Sequence, residues 1–217
     1  MKLKRLLFLA LLLGTQSTIW AGDGGSGKNL QISVIPYGIE KARFGTSYDS
    51  KFKFNFKSVF GATFSYEFAH GKTNSMLELS YTRSKFDDVQ LTSDDKDLND
   101  ALLTLLHTGE IDQFSSYGFM YYLGKTFNSG QRFQVPIYIG LGAEYFSGWP
   151  YHNLLVDVGA KIRMKYFFSQ RFGLFVGATG KYGFGSSERF MKKDSKDTPK
   201  ISRTSIDFDA GLTILIN

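Results

Sequence analysis

From residue 154 to 168 the chain reads LLVDVGAKIRMKYFF. Leu154, Val156, Val158, Ala160, Ile162, Met164 and Tyr166 fill the even positions, whereas Asp157, Lys161, Arg163 and Lys165 stand at odd ones. Alternation of this kind marks a β-strand with two unlike faces. The same period recurs and predicts eight strands, at about 29–37, 58–68, 75–84, 113–126, 132–146, 153–168, 171–185 and 202–216. They are rich in Tyr, Phe, Val and Ile, as strands are. One segment, DLNDALLTLLHTG, breaks the period and predicts a short helix, with Asp97 or Asn99 at its start and Gly109 at its end,.

The two faces differ in chemistry. One carries Leu30, Ile32, Phe64, Leu79, Phe119, Ile139, Leu141, Val176 and Leu212, none of them charged. The other mixes glycine and small polar residues with Glu67, Glu78, Glu144, Asp157, Lys161, Arg163, Lys165, Lys181, Asp207 and Asp209. A soluble barrel would alternate too, with its apolar face inward. A solvent-facing surface, however, favours Lys, Glu and Gln over glycine, whereas a narrow lumen needs small residues where side chains crowd. The pattern therefore places the apolar face outward against lipid and the charges inside.

Short connections (HGKTN, NSG, SQR) alternate with longer ones at 38–57, 85–112, 147–152 and 186–201. In an up-and-down barrel alternate connections lie at opposite rims, so the tight turns gather at one end and the long loops at the other. The expected fold is all-β: an eight-stranded antiparallel up-and-down transmembrane β-barrel over 29–217, after a flexible leader at 22–28.

The N-terminus adds a targeting signal. Lys2, Lys4 and Arg5 precede an apolar run from Leu6 to Leu13, and small polar residues lead to Ala21. This predicts a secretory signal peptide over 1–21. Its removal takes three positive charges from a net charge of +6. The mildly basic remainder does not argue for nucleic acid. With no cysteine, the chain has no disulfide framework and no thiolate metal site,.

With these strands, this asymmetry of loops and a closing segment DAGLTILIN, the chain resembles the small outer-membrane β-barrels of Gram-negative bacteria, the porin-family barrels of the OmpA/OmpX-like or OmpW-like group. The resemblance implies a place in the outer membrane among lipid and lipopolysaccharide. It further implies that Asp209, Gly211, Ile214 and Ile216 of the last strand act as a signal to the barrel-assembly machinery. Isoleucine stands there where aromatics are usual, and the chain ends on Asn217.

Charges inside a narrow barrel must pair, because an unpaired buried ion is costly. Hairpin geometry sets Asp157 within one pair of Lys181, and makes Glu67 and Glu78 unfavourable neighbours unless a cation reaches them. Lys165 stands level with Glu67, Arg163 one layer above, and Lys181 near Asp207 or Asp209. Eight strands leave an interior that side chains fill, so a closed plug is expected, with a narrow channel or conduit as the alternative. For a lipid-modifying enzyme, Ser147 and His152 form the one plausible serine–histidine pair, and no enzyme motif surrounds them. No cofactor or metal is expected: SDDKDLND fails as an EF-hand, with Asp100 and Leu106 where glycine and glutamate are required,. Loops 38–57 and 186–201 are lysine-rich and suit a phosphate-bearing lipid surface. The acidic loop 85–112, with Leu98, Leu102, Leu105 and Leu106, suits a lid or an extracellular ligand.

Overall fold

The computed structural model describes residues 27–45, 51–92, 113–148, 151–186 and 200–216, with side chains described for 27–43, 55–56, 60–85, 113–147, 153–185 and 201–216. Eight antiparallel strands close into one barrel, each paired with its sequence neighbours and β1 with β8. They are β1 Gly27–Gly45, β2 Lys51–His70, β3 Thr73–Thr92, β4 Gln113–Phe127, β5 Phe133–Gly148, β6 Tyr151–Phe167, β7 Phe172–Ser186 and β8 Lys200–Ile216. The signal segment, the helical patch with Asp97, Asn99 and its leucines, His107 and the aspartates of SDDKDLND lie outside the described residues.

The exterior is apolar. Ile139 is 70% exposed, Leu154 65% and Leu141 64%. Aromatic rings flank this band: Tyr81, Tyr117 and Tyr145 toward the long-loop rim, and Phe127, Phe133, Tyr166 and Phe172 toward the tight-turn rim. The interior holds the charges. Lys161, Arg163 and Lys165 are buried while Ile162 and Met164 between them are exposed. A wall that is apolar outside and ionic inside is the inverse of a soluble barrel and suits hydrocarbon.

Three turns close the short-connection rim, and each is tied to the neighbouring strand. Thr126 N–H donates to Lys72 O at 2.8 Å, Phe167 N–H to Arg132 O at 2.8 Å, and Leu215 N–H to Arg171 O at 2.7 Å. Gly71 (φ 65°), Asn128 (φ 56°) and Gly130 (φ 80°) supply the left-handed backbone that such turns need,.

The strands run further than the sequence pattern predicts. β1 begins at Gly27 and reaches Gly45, β2 starts at Lys51, β3 reaches Thr92 and β8 starts at Lys200. Much of the expected loops 38–57 and 85–112, and the end of 186–201, is therefore barrel wall. The reason is irregular pairing. A bulge at Val34/Tyr37 on β1 puts Pro36 and Tyr37 both outward, so odd residues face in before it and Gly38, Glu40 and Ala42 after it,. The shift at Lys57/Val59 adds one residue, Ser58, to β2 and reverses its parity in the same way, while the shift at Asn55/Phe56 adds Asp87 to β3. A single parity carried along the chain loses both strands at these points.

Candidate functional site

The distinctive site is the lumen. Seven carboxylates (Glu40, Glu67, Glu78, Glu144, Asp157, Asp207, Asp209) and five cations (Lys161, Arg163, Lys165, Lys181, Arg203) are buried in it among the described residues. Each reaches inward because its strand alternates, and most have apolar outward neighbours.

Most of the ion pairs are chords across the cylinder; Lys181–Asp207 and Arg203–Glu40 join adjacent strands. In the layer nearest the tight turns, Lys165 of β6 pairs with Glu67 of β2. Glu67 also accepts hydrogen bonds from Gln31, from Asn74 at 2.6 Å and from the Tyr138 hydroxyl at 2.7 Å. One layer up, Arg163 is 0% exposed. It bridges Glu78 of β3 at 2.9 Å and Asp209 of β8 at 2.7 Å, and its guanidinium lies 4.5 Å from the ring centre of Phe175. Lys161 pairs with the same Glu78 and lies 5.3 Å from the Tyr122 ring centre. Higher still, Lys181 reaches Glu144 at 3.3 Å and Asp207 at 3.7 Å. Arg203 pairs with Glu40 at 2.6 Å and also with Glu144.

Glycine sets how closely the side chains of these layers pack. A Cβ on Gly177 would lie 2.5 Å from Asp209 Oδ1 and 2.8 Å from Arg163 Cγ, so only glycine leaves the guanidinium its place. A water-sized cavity remains among Glu78, Lys161, Lys181, Asp207 and Asp209.

Above the ions the lumen turns apolar. Phe114 and Phe146 stack at 4.9 Å between ring centres, Phe56 meets Phe114 edge-on at 5.1 Å, and Ala42, Leu155 and Ile201 are buried with them. Arg203 marks the boundary, 5.0 Å from the centre of Phe146. Beside this layer the β1–β2 ladder is interrupted. It runs to Ile35↔Gly61 and resumes at Glu40↔Phe56, leaving 36–39 and 57–60 outside the register.

Of the residues singled out in the sequence, nine join the bridges: Glu67, Glu78, Glu144, Lys161, Arg163, Lys165, Lys181, Asp207 and Asp209. Glu67 and Glu78 are not direct partners: Met76 stands opposite Glu67 and Ser65 opposite Glu78, and each carboxylate has its own cation. Asp157 stands opposite Gly183, one pair from Lys181, and takes no part in a salt bridge among the described residues. Glu40, Arg203, Gln31, Asn74 and the aromatic layer escaped the sequence reading; for Glu40 the signal was the parity change at Pro36. In the last strand Asp209 and Gly211 lie on the lumen side, with Ile214 and Ile216 on the opposite parity. The register sets Ser147 opposite His152, and the His152 side chain lies outside the described residues.

Among the described side chains the outer surface of the wall carries one sign of charge. Every described Asp and Glu is buried in the lumen. Every exposed formal charge among the described side chains is basic: Lys41, Arg43, Arg83 and Lys85 toward the long-loop rim, and Lys28, Lys72, Lys125, Arg132 and Arg171 toward the tight-turn rim.

No protein-family model matches the chain, and no curated protein does. Solved structures do. The outer membrane protein OprG from Pseudomonas aeruginosa superposes with a TM-score of 0.59 at 8% identity, covering 90% of this chain and 98% of that one. The outer membrane protein AlkL, solved by solid-state NMR in lipid bilayers, gives a TM-score of 0.56 at 10% identity, covering 94% and 96%. At these identities the likeness is one of fold, and that fold is the small outer-membrane β-barrel.

Proposed function

We propose that the protein is an integral outer-membrane barrel whose lumen is plugged by salt bridges, and that its work is done by its wall and its long-loop end. The carrying observation is Arg163, fully buried and bridging Glu78 and Asp209 across the lumen. Water and ions cannot pass such a layer without breaking charge-assisted hydrogen bonds. The partners in this reading are outer-membrane lipid and lipopolysaccharide, the barrel-assembly machinery at the last strand, and an extracellular ligand at the long loops. The role is non-enzymatic: Ser147→Ala and His152→Ala should leave membrane lipid composition unchanged. The test has two arms. Unboiled protein should migrate faster than boiled protein on an SDS gel, and in planar bilayers it should open no sustained conductance. Recovery in a detergent-free soluble extract would end the membrane reading, and steady conductance would end the plug.

A second reading, a conduit for small hydrophobic molecules, is favoured by the apolar lumen layer lying beside the interrupted β1–β2 ladder. In that case an apolar solute would enter above the ions and leave sideways into lipid. Solute-dependent NMR shifts at Phe114 and Phe146, lost in Leu155→Glu, would support it.

A further inference from the structure

We infer that the outer wall formed by β1, β2 and β3 carries a docking surface for the phosphate groups of an outer-leaflet glycolipid. This deepens the membrane reading and rests on it. On β1, Lys41 and Arg43 are exposed directly above Tyr37 and Ile39; on β3, Arg83 and Lys85 are exposed directly above Tyr81. The two strands flank β2 and stand roughly 10 Å apart, two strand spacings. No described acid shares this exterior to offset the four bases.

The rest of the same rim is different. At comparable height β4 offers Ser115, β5 Ser147, β7 Phe184, and β8 Ser202 and Thr204. Among the described side chains the basic surface is thus one-sided. It is also continuous with the apolar band beneath it, so a ligand there presents anions at headgroup height with acyl chains alongside the wall. That combination fits a phosphorylated lipid. A soluble anion would not need the apolar continuation.

The test uses the full-length mature protein in detergent, titrated with a bisphosphorylated disaccharide lipid and its dephosphorylated counterpart, with bound lipid counted by native mass spectrometry. Wild-type protein should bind the phosphorylated lipid, less so as salt rises, and bind the dephosphorylated one weakly. Replacing Lys41, Arg43, Arg83 and Lys85 together by glutamine should weaken binding about tenfold or more. Replacing Lys28, Lys72, Lys125 and Arg171 together should leave it within about twofold, because those residues lie at the other rim. Equal binding of the two lipids by wild-type protein overturns the inference without any variant. Unchanged binding in the first variant overturns it too, as does an equal loss in both. These outcomes differ from failure of the membrane reading, which appears as protein that is soluble without detergent.

Discussion

Arg163 is the side chain on which the lumen's charge balance hangs. It neutralises Glu78 and Asp209 at once while its flat face rests on Phe175. Truncation leaves buried carboxylates short of a cation, so Arg163→Ala should cost about 3–5 kcal/mol, read by urea unfolding in lipid vesicles. Arg163→Lys keeps the charge but not the planar fork, and should fall between. A loss below about 1 kcal/mol in the alanine variant would mean that the chords carry little. Glycine gives a second residue-scale contrast. Gly177→Ala drives a methyl against Asp209 and Arg163, and should destabilise by about 1–3 kcal/mol,. Gly180 faces outward, and no heavy atom lies within 4 Å of the place a methyl there would take, so Gly180→Ala should be near neutral in the same assay.

The strands carry the next level. Alternation identified all eight, and the tight turns, because a pleated wall between two unlike environments writes its period directly into sequence. Their extents were harder to read. The extra residues at Pro36 on β1 and Ser58 on β2 reverse parity, and β1 past Tyr37 then looks like a lysine-rich loop although Gly38, Glu40 and Ala42 point inward. The same irregularity gives a prediction for the wall. Amides at 37–39 and 57–60, outside the β1–β2 register, should exchange hydrogen faster than those at 30–34 of the same strand pair. Uniform protection along β1 would remove the basis for a sideways exit.

At the scale of the whole molecule, the decisive property is that the barrel is inside out. Ile139 lies near the middle of the outward band on β5 and is the most exposed of the large apolar side chains described. In a soluble protein, arginine at so exposed a position would be nearly free of cost. In a bilayer, Ile139→Arg should cost about 2–4 kcal/mol, measured by unfolding from vesicles. A neutral result would place that wall in water. Charge placement acts at this scale too: among the described side chains every acid is enclosed together with five bases, and the exposed charges, all basic, stand at the two rims.

What the sequence alone determined was the environment of each face. Lipid tolerates no formal charge in the middle of a strand's outward residues, and a narrow lumen demands glycine beside its ions, so both constraints appear as local, periodic choices of residue type. The identities of the charged partners were a different matter. Lys165 with Glu67 and Arg163 with Asp209 join strands that are remote along the chain, and barrel closure sets which layers meet across the axis. The parity of β1 beyond Pro36, which brings Glu40 to Arg203, likewise came only from the tertiary fold. A bulge shifts one residue on one strand, and only the pairing of its neighbours reveals it.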